Sequence, residues 1–203
     1  MDVHNLTADA EAFTCNAYLA AGEIPTLVDA GTIAGIETRI AERVDGLDRV
    51  VLTHQHPDHV EQLEAVVDAF DPEVFAYAEH PLRTDALTDG EAVAIGDEDY
   101  EVVSTPGHAE DHVSLVGERA VFSGDVVVYE DGAYDGGSFG RTDIPGASRE
   151  RLIKSLSDLL DRMPESVDRL YPGHGDSFSG DVHTIVDRAL SRAERHEPKY
   201  PEE

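Results

Sequence analysis

Four metal-ligating side chains lie close together in one short segment that follows an apolar run. The segment reads Thr53-His54-Gln55-His56-Pro57-Asp58-His59. In an extended chain, residues two apart point to the same side, so His54 and His56 can bind one ion together. Pro57 ends the extended geometry, and Asp58 and His59 can then face a neighbouring position. Because imidazole and carboxylate are ligands for zinc, iron and manganese, the segment predicts a metal site.

Three further ligand-type residues each follow a strand-like run and a glycine. They are His108, Asp125 and His174. The preceding glycine allows a tight turn, and ligand sites in open α/β sheets lie beyond the carboxyl ends of strands. One histidine in such a place is as often a structural residue, but together with the segment at 53–59 the three are expected to complete the site.

The elements that must position these residues alternate between β-like and helical runs. The run before the segment predicts a buried strand over 49–53, and apolar residues at helical spacing predict a helix over 60–70. Thr32 is the expected N-cap of an earlier helix, and Asp181 that of the last one. Five short strand-like runs make the stretch over 74–122 strand-rich. A β-rich stretch followed by a βαβ-like stretch, twice over, favours a layered α/β sandwich.

Length and composition limit the function classes. A chain of 203 residues predicts one domain over 1–203. Its 15 Lys+Arg against 43 Asp+Glu give a net charge of -28, which argues against nucleic acid as a partner. We expect no contact with membranes, because the sequence has neither an apolar span nor a signal peptide, and we expect a cytoplasmic location. The single Cys15 excludes an intrachain disulfide and a thiolate-rich metal site.

The excess of carboxylates also predicts the salt concentration in which the protein functions. Like charges on a small domain destabilise the compact state, and at about 1 M salt the Debye length falls to roughly 3 Å, which removes most of that repulsion. With only two lysines, Lys154 and Lys199, the composition indicates a high-salt cytoplasm.

The motifs T-H-x-H-x-D-H, T-P-G-H, S-G-D and P-G-H-G, in this order, resemble those of the metallo-β-lactamase superfamily. The string over 137–146, G-S-F-G-R-T-D-I-P-G, is similar to its glyoxalase II-like branch. The resemblance implies a four-layer αββα sandwich with two divalent metal ions. Zinc is the expected metal, and iron and manganese are the alternatives. It implies that His54, His56 and His108 bind one ion, that Asp58, His59 and His174 bind the other, and that Asp125 bridges both.

The resemblance also implies an activity, the hydrolysis of a small thioester by a metal-bound hydroxide. Asp58 would act as the catalytic residue that orients the nucleophile and helps to move its proton. Arg141 and Tyr134 are candidates for substrate contacts. The sequence after His174 suffices for one helix and a tail, so no separate C-terminal helical domain is expected. Asp111 stands where the branch often has glycine, and a thiol carrier other than glutathione stays open.

Other activities remain open at this point. A persulfide dioxygenase shares the implied fold and would use a single iron held by His54, His108 and Asp125. A lactonase or a nuclease of the same superfamily is a further alternative, and the negative charge disfavours the nuclease. A non-catalytic metal-binding scaffold is the remaining alternative.

Overall fold

A computed structural model describes residues 2–199 of the chain. The chain divides into two compact units, one up to Val102 and one from Val103 onward. Each unit combines strands and helices around its own buried apolar cluster. The single domain over 1–203 stays a prediction.

The first unit carries one sheet, three short helices and a hairpin. Its elements are β1 (Asp2–Asn5), β2 (Tyr18–Ala21), β3 (Thr26–Val28), α1 (Ile36–Ala41), β4 (Arg49–Val51), α2 (Pro57–Val60), α3 (Leu63–Phe70), β5 (Glu73–Ala76), β6 (Asp85–Ala86), β7 (Ala92–Ile95) and β8 (Glu98–Ser104), the last of which runs past the unit boundary. The sheet has the order β1-β2-β3-β4-β5-β6. Its pairs are antiparallel from β1 to β3 and parallel from β3 to β6, and β7 pairs with β8.

The parallel part of this sheet positions the histidine segment. Strands buried on both faces need continuous apolar side chains, and Leu27, Val50 and Val74 are buried on three successive strands. Helices α1 and α3 belong to the same apolar cluster through Ile36 and Leu63. Since β4 is fixed between two neighbours, the residues that follow it leave the sheet at a defined edge.

Helix α1 begins later than the sequence predicts. Its N-cap is Gly35, with a positive φ of 84°, and the expected N-cap Thr32 lies outside the helix. The Thr32 hydroxyl donates to the carbonyl of Phe13 at 3.0 Å, and its backbone N–H donates to Thr14 Oγ1 at 3.0 Å. Thr32 therefore ties the 13–14 loop to the end of β3 instead of capping a helix.

The second unit carries the remaining elements. They are β9 (Val113–Val116), β10 (Ala120–Gly124), β11 (Val127–Val128), β12 (Ser138–Phe139), α4 (Arg149–Arg162), β13 (Arg169–Pro172), β14 (Phe178–Ser179) and α5 (Val182–Glu194). These strands follow the order β14-β13-β10-β9, with β10 parallel to β13, and β11 pairs with β12. Asp181 accepts a hydrogen bond from the Thr184 N–H at 3.0 Å, which confirms it as the N-cap of α5. Over residues 2–199, no helix is both long and apolar enough to cross a membrane.

Candidate metal centre

The chain after β4 brings His54 and His56 together. His56 has extended backbone angles, φ −64° and ψ 146°, and Pro57 opens helix α2. Proline suits the first helical position because its fixed φ matches the helix and its missing N–H would have no helical partner. His54 Nε2 lies 3.2 Å from His56 Nδ1. The predicted convergence of these two imidazoles is confirmed.

The first turn of α2 carries the other two members of this cluster. His59 is fully buried, its ring centroid lies 4.0 Å from that of His54, and its Nε2 lies 3.9 Å from Asp58 Oδ2. We name His54, His56, Asp58 and His59 the first ligand group. The bend at Pro57 thus gathers all four side chains within the first unit.

A buried carboxylate at the end of β3 orients this group. Asp29 Oδ2 accepts from His59 Nδ1 at 2.8 Å and from the Thr53 hydroxyl at 2.7 Å. Its Oδ1 accepts from the Thr53 N–H at 2.8 Å. No motif in the sequence marks Asp29, although it follows a strand as directly as the predicted ligands do. Its three hydrogen bonds hold the segment at 53–59 against the sheet.

These contacts also fix which ring nitrogens carry protons. The Thr53 hydroxyl donates to Asp29, so towards His54 Nδ1, at 3.1 Å, it acts as the acceptor. His54 and His59 are therefore both protonated on Nδ1, and each keeps a lone pair on Nε2. A metal-ligating histidine commonly donates its other N–H in this way, which sets the tautomer and the ring orientation.

The second unit brings together the other three predicted ligands, His108, Asp125 and His174, which we name the second ligand group. His108 Nε2 lies 3.3 Å and His174 Nε2 lies 3.5 Å from Asp125 Oδ2. His108 and Asp125 are buried, and the His174 side chain is 22% exposed. Three turns that are distant in sequence therefore converge on one carboxylate oxygen.

The loop before Arg141 orients His108. His108 Nδ1 donates to the Arg141 carbonyl at 3.0 Å, which leaves a lone pair on Nε2. The loop approaches so closely that a Cβ on Gly140 would lie 2.1 Å from the Asp125 carbonyl oxygen. Gly107 is under a similar constraint, since its Cβ would lie 2.4 Å from the Leu152 nitrogen.

The spacing of the donors fits divalent metal ions. Around a tetrahedral zinc with bonds of about 2.1 Å, two ligand atoms lie about 3.4 Å apart. The 3.2 Å of the first group and the 3.3 and 3.5 Å of the second match this edge. A lone pair on His108 Nε2 facing the Asp125 carboxylate is unfavourable without a cation between them. A proton can bridge only one nitrogen–oxygen pair. A divalent ion can bind His108 Nε2, His174 Nε2 and Asp125 Oδ2 together.

The two candidate substrate contacts are engaged elsewhere in the second unit. Arg141 donates two hydrogen bonds of 2.9 Å to Asp143. The hydrogen bond from Arg141 lowers the pKa of Asp143 to about 2, so the pair is ionised at neutral pH. The Tyr134 hydroxyl donates to the Pro198 carbonyl at 2.6 Å. An anionic substrate would therefore have to compete with Asp143 for Arg141.

The loop at 131–143 is held by a largely buried ion pair near the end of the described chain. Lys199 Nζ lies 2.7 Å from Asp131 Oδ2, and only 9% and 10% of the two side chains are exposed. Lys199 also donates to the Phe139 carbonyl. Burial alone would raise the pKa of Asp131, but the hydrogen bond and charge of Lys199 outweigh it and hold the pKa below its ordinary value.

We expect Asp131→Asn to destabilise the protein at pH 7 by about 2 kcal/mol, somewhat less than the roughly 3–5 kcal/mol of a fully buried pair. Because the pKa of Asp131 is lowered by folding, the pair stabilises the fold above the ordinary pKa and loses its effect as pH falls through the lowered one. Urea unfolding should therefore show a difference from the wild type that shrinks below about pH 4. Asp168→Asn, in the exposed pair with Arg119, is the control and should change little.

Comparison with known proteins places this chain in a family. The model of the metallo-beta-lactamase superfamily matches residues 10–174. A hydroxyacylglutathione hydrolase of Vibrio cholerae is 28% identical over 152 residues, which are 73% of this chain and 56% of that protein. The chain spans 39% and 56% of the length of two hydroxyacylglutathione hydrolases that it matches.

Solved structures agree on the fold. ETHE1 from Myxococcus xanthus has a TM-score of 0.76 at 22% identity, covering 98% of this chain and 92% of its own. TTHA1623 in a di-iron-bound form has a TM-score of 0.68 at 29% identity, covering 86% and 93%. These likenesses confirm the predicted α/β metallo-β-lactamase fold. With the family model covering most of the chain and His/Asp groups able to hold metal, this chain belongs to the metallo-beta-lactamase superfamily, whose members are generally metal-dependent hydrolases.

Proposed function

We propose that this protein is a binuclear metal-dependent hydrolase that cleaves small thioesters. The observation that carries the proposal is the donor spacing within each ligand group, 3.2 to 3.5 Å for three pairs of facing atoms. Membership of the superfamily supports joining both groups in one centre. In that centre His54, His56 and His108 would hold one ion, Asp58, His59 and His174 the other, and Asp125 would bridge them.

Bound divalent ions supply a hydroxide nucleophile at neutral pH and polarise the carbonyl under attack. The residues of the chain have complementary tasks. Asp29, Thr53 and the Arg141 carbonyl fix the imidazole tautomers, so that the lone pairs are set before metal arrives. Asp58, half-buried on the first turn of α2, would orient the nucleophile and accept its proton.

The relatives and the loop over 137–146 bear on the thiol half of the substrate. Relatives named hydroxyacylglutathione hydrolase support an acylated thiol. In this chain the arginine of the 137–146 string is paired with Asp143, which disfavours a highly anionic carrier. We propose a small-molecule thioester as the partner, and neither nucleic acid nor a membrane.

A panel of thioesters tests this function. S-lactoylglutathione, the same acyl group on coenzyme A and the same acyl group on a small neutral thiol would be assayed with metal-analysed protein in molar KCl. We expect hydrolysis of at least one of them, in proportion to bound metal. Metal-loaded protein that cleaves no thioester of the panel would contradict the proposal.

An iron-dependent persulfide dioxygenase is the second candidate. The di-iron form of TTHA1623, at 29% identity, favours iron as a metal that this fold accommodates. We propose zinc as the native metal, with iron or manganese as substitutes. Oxygen uptake with a glutathione persulfide, without thioester hydrolysis, would decide for the dioxygenase.

We further propose that the protein works in a high-salt cytoplasm. Its net charge of -28 over 203 residues means that the carboxylates repel one another when salt does not screen them. The melting temperature should therefore rise between low and molar KCl, by about 2–4 °C for each kcal/mol of repulsion removed. Thermal melts across a KCl series measure this, and a melting temperature that stays flat or falls would argue against the high-salt environment.

A further inference from the structure

A fully buried histidine outside the seven proposed ligands contacts the turn that carries Asp125. His112 lies just before β9, and its side chain is completely enclosed. Its Nε2 accepts a hydrogen bond from the backbone N–H of Asp125 at 2.9 Å. Because Nε2 is an acceptor, the imidazole is neutral and its proton is on Nδ1.

A chain of hydroxyl groups maintains this tautomer. His112 Nδ1 donates to Thr105 Oγ1 at 2.8 Å, and Thr105 Oγ1 lies 3.1 Å from Ser114 Oγ. Ser114 in turn donates to the Ser123 carbonyl at 3.4 Å. The Thr105 hydroxyl therefore accepts from the imidazole and donates to Ser114. This series of hydrogen bonds ends at the Ser123 carbonyl, in the turn that carries Asp125.

Two further hydrogen bonds hold the same turn. The Gly124 carbonyl accepts from the Gly173 N–H at 2.7 Å, and the Ser123 hydroxyl donates to the Val127 carbonyl at 2.7 Å. The Asp125 N–H is thus one of several points that fix the turn, and it is the one next to the carboxylate. An acceptor placed there sets the direction in which the Asp125 side chain leaves the backbone.

We propose that His112 is a positioning residue for metal binding, acting through the main chain of Asp125. This inference rests on the proposed role of Asp125 as a metal ligand. The neutral imidazole holds the Asp125 backbone, so that the carboxylate lies within reach of both His108 and His174. Thr105 acts one step further back by keeping the acceptor nitrogen of His112 turned towards Asp125.

The experiment measures zinc affinity by competition with a chromophoric chelator, together with thermal melts of the metal-free proteins. His112→Phe keeps the ring shape and removes both ring nitrogens, and we expect a 10–100-fold loss of affinity, the usual effect of losing a partner behind a metal ligand. His112→Gln keeps an acceptor at similar reach and should lose less. Thr105→Val should also lower the affinity, by less than His112→Phe.

Thr26→Val is the matched control for Thr105→Val. Thr26 is a fully buried threonine whose hydroxyl donates to the Ile24 carbonyl at 2.8 Å, and its loss should leave zinc affinity unchanged. If His112→Phe does not fold, the comparison of Thr105→Val with Thr26→Val still decides. Equal zinc affinities in that pair, or a folded His112→Phe with wild-type affinity, would overturn the positioning role. A wild type that binds no zinc would instead refute the metal site itself.

Discussion

His56→Ala is expected to lose bound metal and to reduce thioester hydrolysis by at least about 100-fold, since even a partner behind a ligand costs 10–100-fold in metal affinity or activity. The substitution removes one donor of the first ligand group, 3.2 Å from His54 Nε2. His56 is only half-buried and makes no side-chain cap to α2. Its truncation should therefore open no large cavity, and the fold should survive.

Metal content by mass spectrometry and initial rates of hydrolysis measure this effect. His183→Ala on α5 is the control, because His183 is also half-buried and its Nε2 donates to the Pro164 carbonyl at 3.1 Å, away from the proposed ligands. Loss of metal from His56→Ala without loss of hydrolysis would refute the proposed mechanism.

Gly140→Ala is expected to destabilise the protein by about 3 kcal/mol, the upper end of the roughly 1–3 kcal/mol that overpacking typically costs, and to disturb metal binding. The added Cβ would lie 2.1 Å from the Asp125 carbonyl oxygen and 2.9 Å from His108 Cβ. Neither atom can move away without displacing a proposed ligand. The substitution therefore acts on the fold and on the second ligand group together.

Urea unfolding and zinc affinity, both compared with Gly46→Ala, measure this prediction. A Cβ on Gly46 meets no atom within 4 Å, so this control should lie within about 0.5 kcal/mol of the wild type. A Gly140→Ala protein as stable as the control and with wild-type zinc affinity would show that the loop can retreat from the site.

The local part of the site could be predicted from the sequence. Residues two apart in an extended segment point the same way, and this alone placed His54 beside His56. Glycine before a ligand-type residue marked the turns of His108, Asp125 and His174. Both signals are local, because a few neighbouring residues determine the backbone geometry on which they depend.

The contacts between distant segments could not be predicted in this way. Asp29 reaches His59 across 30 positions, and His112 reaches Asp125 across 13. Thr32 has the composition of an N-cap, but its hydrogen bonds go to the 13–14 loop. In each case tertiary packing selects one of several partners that the local sequence allows.

Stepwise addition of zinc to the metal-free protein, with the rate of thioester hydrolysis followed at each step, is the most direct measurement of the central claim. If the seven proposed ligands hold two ions that generate the nucleophile, the rate should be negligible without metal, rise with added zinc and level off at two ions per chain. Full hydrolysis by the metal-free protein, or a rate that does not change as zinc is bound, would contradict the account.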